Sequence, residues 1–133
     1  MIFVDASVWI DFFNGRKTPA VDRLCDLLAD GAAPLEMADL TLFEVLRGFR
    51  HAEDFLAAKR ALSALPVISI GGSENAIAAA EHYRTLRRLG ITITSPIDVL
   101  LASFCIENGY ALLHSDADFD ALEAHLGLRV WRH

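Results

Sequence analysis

Apolar residues fall along this chain in two alternating patterns, short unbroken runs and longer stretches in which they recur every three or four positions. The first pattern marks buried strands and the second amphipathic helices. Ile2 to Val4 is a β-prone run ending at Asp5, and Ser7 is then placed to cap a short helix, Val8 to Phe13, that stops at Asn14-Gly15. From Pro19 to Asp30 the apolar positions Val21, Leu24, Cys25 and Leu28 keep helical spacing, with Gly31 as the stop. Leu35 to Ala38 reads as a brief strand, followed by helical segments from Leu40 to Phe49 and from Ala52 to Leu65, closed by Pro66. Val67 to Ile70 is a strand, Gly71-Gly72 a turn, and Glu74 to Leu89 an amphipathic helix ending at Gly90. Ser95-Pro96 opens a helix through Glu107, which Asn108-Gly109 stops. Tyr110 to His114 is a strand, Phe119 to Leu126 a last helix, and Leu128 to Trp131 a terminal strand.

Strands alternating with helices predict an α/β fold: a mostly parallel central sheet of four to five strands with helices on both faces. Ligands of such sheets bind outside the carboxyl ends of the strands. At 133 residues and 53% hydrophobic content, the chain reads as a single domain, residues 1–133, able to bury roughly two thirds of its unfolded surface. Its longest apolar stretches, such as Val99 to Ile106, fall short of the ~20 residues of a membrane span. Met1-Ile2-Phe3-Val4 lacks the basic n-region of a signal peptide, so a cytoplasmic protein is expected. Cys25 and Cys105 lie in apolar helical patterns without metal-ligand spacing and are expected to be buried, reduced thiols. The five histidines are scattered, and no zinc site is predicted.

The net charge of -6 argues against a protein that grips nucleic acid through a large basic surface. It leaves room for a metal-dependent nuclease, whose cation neutralises substrate charge in place of lysine and arginine. A mean hydropathy of +0.33 is high for a small soluble monomer and points to apolar surface covered by a partner or a second copy.

Four carboxylates change the picture most. Asp5, Glu44, Asp98 and Asp116 each adjoin an apolar stretch, where unpaired negative charge is costly, so a positive partner is required. Asp5 and Asp116 each follow a strand, and helix starts near the same sheet edge can bring Glu44 and Asp98 to them. Carboxylates meeting there form the all-oxygen cage that Mg2+ or Mn2+ prefers. Taken singly, three of them have structural explanations. Asp98 follows Ser95 at capping-box spacing with Pro96 between. Glu44 follows Thr41 at the same interval and is one turn from Arg47. Ser115 to Asp118 repeats the box beside Asp116. Asp5 has no evident capping role if Ser7 caps the first helix. Asp22, Asp26 and Asp30 step along one helix face and read as solvated. The run from Asp116 to Asp120 fails as a calcium loop, since Ala121 and Gly127 stand where glycine and glutamate are needed. Arg84, Arg87 and Arg88 share a helix face, read as solvated; Arg16 and Lys17, after the first helix, are the better candidates for substrate contact. Trp9, Phe12 and Phe13 form a stripe that is core on one side and broad enough to leave a groove for a partner segment.

The segments VDASVWIDFF, LTLFEVLRGF and PIDVLLASFCIENGYALLHSDADFD, in that order, resemble PIN-domain proteins, in particular VapC-type toxins of bacterial toxin-antitoxin pairs. The resemblance spans almost the full length. It implies a PIN-like three-layer α/β/α fold and an acidic cluster of Asp5, Glu44, Asp98 and Asp116 that binds Mg2+ or Mn2+ and cleaves RNA. Asp5, Asp98 and Asp116 would hold the metal directly and Glu44 through water. Asp118 is a nearby fifth acid, Ser7 a polar accessory, and Ser115 stands where the family often carries threonine. The resemblance further implies 5'-phosphate and 3'-hydroxyl products, a VapB-type antitoxin laid over the groove, and a homodimer. The region from Ala52 to Gly90 carries no shared motif. Two rivals stand beside this reading: a metal-binding PIN scaffold without activity, and a phospho-receiver module, which would need paired acids after the first strand and a lysine after the last.

Overall fold

The computed structural model describes residues 1–133. Its elements are β1 (Ile2–Val4), α1 (Ala6–Phe13), α2 (Pro19–Ala29), β2 (Met37–Ala38), α3 (Asp39–Leu46), α4 (Ala52–Leu62), β3 (Val67–Ile68), α5 (Ser73–Arg88), α6 (Pro96–Asn108), β4 (Ala111–Leu113), α7 (Asp118–Leu126) and β5 (Arg129–Val130). β1 pairs in parallel with β4, Val4 opposite Leu113, and β4 pairs in parallel with β5. β2 and β3 form a second parallel ladder. A parallel bridge between Ile2 and Leu35 joins the two, giving the spatial order β3-β2-β1-β4-β5.

Period-two alternation divides the core between the two faces of this sheet. Ile2, Val4, Met37 and Leu113 point to one side, where Val8 and Trp9 of α1, Leu24 of α2, Val45 of α3 and Leu62 of α4 cover them. Phe3, Ala38 and Leu112 point to the other, against Ala79 and Leu86 of α5, Leu101 and Ala102 of α6, and Phe119 and Leu122 of α7. The result is the expected three-layer arrangement. Local signals set the helix ends as the residue types require: Thr18 accepts the N–H of Val21 at 3.1 Å before Pro19, and Gly109, at φ 70°, closes α6 in the left-handed conformation.

Several boundaries are shorter than the hydropathy pattern predicts. α3 stops at Leu46 rather than Phe49 and α4 at Leu62 rather than Leu65. β3 keeps only two of four expected residues, because the N–H of Ile70 turns to Asp39 Oδ1 at 3.1 Å instead of a neighbouring strand. On α2 the buried positions are Ala20, Val21, Leu24 and Leu27. Cys25 and Leu28, expected inside, are exposed, since the buried face lies a fraction of a turn away from them. Cys105 is buried, as expected. Trp9 is core, whereas Phe12 and Phe13 pack on its edge half-buried. No helix is long and apolar enough to cross a membrane.

Because Leu112 is fully buried at the centre of the sheet, Leu112→Ala is expected to cost about 2–5 kcal/mol. Leu89→Ala, at an exposed helix end, should stay within about 0.5 kcal/mol. Urea denaturation of both variants checks the pair.

Candidate active site

In the order β3-β2-β1-β4-β5 the chain leaves β1 toward one edge and later returns to lie on its other side. The crevice at the carboxyl ends of β1 and β4 is therefore the topological switch point, where α/β sheets place ligands. Asp5 directly follows β1 and donates its N–H to Leu113 O at 2.9 Å, which extends the β1–β4 pairing to the mouth of the crevice. Its side chain is the N-cap of α1: Oδ2 accepts from Ser7 N at 3.2 Å and from Ser7 Oγ at 2.5 Å. This reverses the expected roles, since Asp5 caps the helix and Ser7, inside its first turn, donates to the carboxylate. Asp5 is only 4% exposed. Burial pushes its pKa above the ordinary carboxylate range despite these hydrogen bonds, and the charge of Asp116 adds to the rise.

Asp98 enters from the first turn of α6. Its N–H donates to Ser95 Oγ at 3.4 Å, so Ser95 is the cap and Pro96 the first helical residue. The reciprocal half of the box is absent. Rather than reaching back to Ser95, the Asp98 carboxylate lies 8% exposed among other acids. Burial first, then repulsion from Asp5, Glu44, Asp116 and Asp118, raises its pKa to about 7. Glu44 does not belong to a capping box either, because α3 begins at Asp39 and Thr41 lies within the helix with its hydroxyl buried and unpaired. Nor does Glu44 form an ion pair with Arg47, whose guanidinium sits over the Phe43 ring at 5.6 Å. Glu44 Oε1 is buried without a partner, and its pKa is raised by burial and then by Asp5.

The loop after β4 supplies two further acids. Asp116 Oδ1 accepts the N–H of Asp118 at 2.9 Å, an Asx-turn that leads into α7. The predicted Ser115 box does not form, because Ala117 occupies the cap position and Ser115 is exposed. Carboxylate oxygens of Asp98, Asp116 and Asp118 all lie within 4.8 Å of one another. Of the acids singled out in the sequence, these three converge most closely. Asp5 and Glu44 are their electrostatic neighbours, with Oδ2 of Asp5 occupied by Ser7. Arg16 is not brought to the acids: it pairs with Asp11 at 3.3 Å at the far end of α1, roughly 12 Å along an eight-residue helix from Asp5. Lys17 is exposed beside it. Arg87 lies over Tyr83 on the outer face of α5.

One neighbour of the acids was not singled out in the sequence. His114 is buried at the end of the β4 segment and accepts the N–H of Asp116 on Nδ1 at 3.2 Å. Burial lowers its pKa against the pull of Asp120, Asp5, Asp116 and Glu123, and Nδ1, facing the Asp116 N–H, serves as an acceptor. No spacing rule singles out such a histidine.

The raised carboxyl pKa values fix the pH dependence of stability. Folding raises Asp98 from 3.8 to about 7, so the native state binds the proton more tightly than the unfolded chain between these values. Its penalty is absent below the unfolded pKa and complete above the folded one. The contribution of Asp98 in metal-free protein should therefore fall as pH rises from about 4 to about 8, against the opposite contribution of His114, whose lowered pKa favours folding as pH rises. Asp98→Asn should be more stable than the parent at pH 8 by at least about 1.4 kcal/mol, the worth of one pKa unit. Denaturant midpoints measured across this range with EDTA present test both statements.

Comparison with known proteins agrees with the geometry. The family description "PIN domain" matches residues 2–124. The VapC ribonuclease Mb1587 of Mycobacterium bovis and the ribonuclease VapC11 of Mycobacterium tuberculosis are each 32% identical over 122 residues, covering 92% of this chain and 91% of theirs. Among solved structures, VapBC2 from Rickettsia felis bound to a promoter DNA fragment superposes with a TM-score of 0.76 at 18% identity, covering 98% of both chains. FitAcB from Neisseria gonorrhoeae gives 0.76 at 13% identity, covering 99% of this chain and 97% of its own. The chain belongs to the PIN-domain family, on the branch of its VapC-type toxins.

Proposed function

We propose that the protein is a metal-dependent endoribonuclease toxin that hydrolyses RNA phosphodiester bonds, leaving 5'-phosphate and 3'-hydroxyl ends, and is restrained by a VapB-type antitoxin. The observation that carries this reading is the convergence of Asp98, Asp116 and Asp118 within 4.8 Å, with Asp98 destabilised as an anion by its neighbours. A site that gathers like charge in this way is matched to a ligand of opposite charge.

Mg2+ or Mn2+ fits the donors present. They are hard carboxylate oxygens with no nitrogen or sulfur among them, and Glu44 Oε1 is buried with no protein partner. Asp98, Asp116 and Asp118 would hold the cation, with Asp5 and Glu44 at its margin. When bound, the cation supplies Lewis acidity and charge neutralisation for the phosphate. The protein's own contribution is positional. Asp5, tied to Ser7 and to Leu113 O, fixes the crevice wall, and the Asx-turn of Asp116 fixes the spacing of the two carboxylates beside Asp98. Water in the crevice can be oriented by whichever carboxylate oxygens are free of the cation, and the raised pKa values of Asp5 and Glu44 suit these two to take up its proton.

The antitoxin reading is supported by the structural neighbours, which include VapBC complexes, and by an apolar groove between α1 and α3. That groove holds a cavity of about 80 Å³ lined by Ile10, Phe13, Val45 and Phe49, and Ile10 is 38% exposed. A homodimer would cover further apolar surface. The cytoplasm is the compartment where such a toxin meets its RNA.

Purified protein should cut RNA from a structured pool in Mg2+ or Mn2+ and stop in EDTA. Asp98→Asn should lose at least about 100-fold in rate while remaining folded. Failure of the metal-replete parent to cut any RNA would leave a metal-binding scaffold. Independently of RNA, Mn2+ at about 100 times its Kd should stabilise the parent by about 2.7 kcal/mol. Asp98→Asn should show much less of this gain, as read from thermal midpoints.

A further inference from the structure

We infer that His114 is a positioning residue of the acidic site, whose Nδ1 holds the Asp116 backbone and thereby sets the turn that presents Asp116 and Asp118 together. Two consecutive contacts of the same form run through this loop. Asp116 N–H donates to His114 Nδ1 at 3.2 Å, and Asp118 N–H donates to Asp116 Oδ1 at 2.9 Å. Each side chain accepts from the backbone two residues ahead, so the histidine anchors the first acid and the first acid anchors the second. Nothing else caps this segment, because Ala117 offers no side chain to the first N–H groups of α7. The other local ties are backbone bonds, Phe119 N to Asp116 O at 3.2 Å and Asp120 N to Ala117 O at 3.0 Å.

The residue is held through both its ring and its backbone carbonyl. Phe119 packs against it with centroids 4.8 Å apart, and the His114 carbonyl accepts from His133 Nε2 at 2.9 Å. With Nδ1 accepting, the neutral ring carries its proton on Nε2, and that nitrogen is buried without a partner. A buried donor left unpaired opposes folding. An aliphatic residue would pack on Phe119 without that penalty, so the packing alone does not account for histidine here. The acceptor at Nδ1 does, since it lies where the Asp116 N–H needs one and no apolar side chain supplies it.

This inference rests on the nuclease reading for its kinetic readout but not for its binding readout. His114→Phe keeps a ring against Phe119 and removes the acceptor, whereas His114→Asn keeps an acceptor near the Nδ1 position and removes the ring. Mn2+ affinity by calorimetry, with folding checked by denaturation, separates the two roles. His114→Phe is expected to weaken Mn2+ about tenfold, the scale of lost support around metal ligands, while His114→Asn stays within about threefold of the parent. RNA cleavage by His114→Phe should fall in kcat with KM unchanged. Parent-like Mn2+ affinity in His114→Phe, or equal weakening in both variants, would overturn the role. Should His114→Phe fail to fold, His114→Leu, close in shape to asparagine and lacking the acceptor, takes its place, and equal affinity in the Leu and Asn variants overturns it likewise. A parent protein that binds Mn2+ but leaves RNA intact removes the nuclease reading while the contrast still decides the part of His114. A parent that binds no Mn2+ removes both.

Discussion

Mutual repulsion among buried and half-buried carboxylates at one edge of the sheet is the constraint around which this molecule is organised. Asp5, Glu44, Asp98, Asp116 and Asp118 come from four separate points of the chain, and burial and each other's charge raise the pKa of the first three. Left to themselves such groups would separate or protonate. They are kept together because each is attached to an element fixed by something else: Asp5 to β1, Glu44 to α3, Asp98 to α6, and Asp116 and Asp118 to the passage from β4 into α7. The two apolar faces of the sheet provide the counterforce, since separating the acids would mean separating the helices packed against Leu112 and Leu113.

Capping contributes in a way that serves the fold and the site together. The oxygen by which Asp5 caps α1 is held by Ser7, and Asp116 begins α7 through the N–H of Asp118. A carboxylate fixed by backbone donors cannot swing away to solvent, so the local bond that starts a helix also limits where the charge can go. Asp98 shows the complementary arrangement. Ser95 does the capping, and the carboxylate, released from a reciprocal contact, is free to face the other acids.

Much of this was legible in the sequence. The order and type of every element followed from hydropathy period and turn residues, because β1 and β4 are buried on both faces and read as unbroken apolar runs. The four acids stood out because each adjoined such a run. Boundaries at α3, α4 and β3 were less legible, since they depend on distant contacts such as the capture of Ile70 N by Asp39. The burial of α2 was misjudged by a fraction of a turn, because Cys25 and Leu27 are both apolar and only packing selects between them. Capping boxes at Thr41 and Ser115 failed for a related reason. Their spacing is short and common, and the helix starts are decided by where the preceding strands end.

The polar atoms left unpaired inside the protein extend the same argument. Glu44 Oε1 and His114 Nε2 are buried without protein partners, as is the hydroxyl of Thr41 on the helix that carries Glu44. In a core selected only for stability these positions would be apolar or satisfied. Two of the six buried side-chain atoms without partners, Glu44 Oε1 and His114 Nε2, belong to residues beside the acids, and the other four belong to Trp9, Thr41, Asn75 and Ser103. A cation that satisfies the carboxylates would therefore act twice, once in phosphate chemistry and once as the missing counter-charge of the fold. Under the proposed metal binding, the metal-free protein would be the less stable state, by the free energy with which the cation favours the folded chain over the unfolded one.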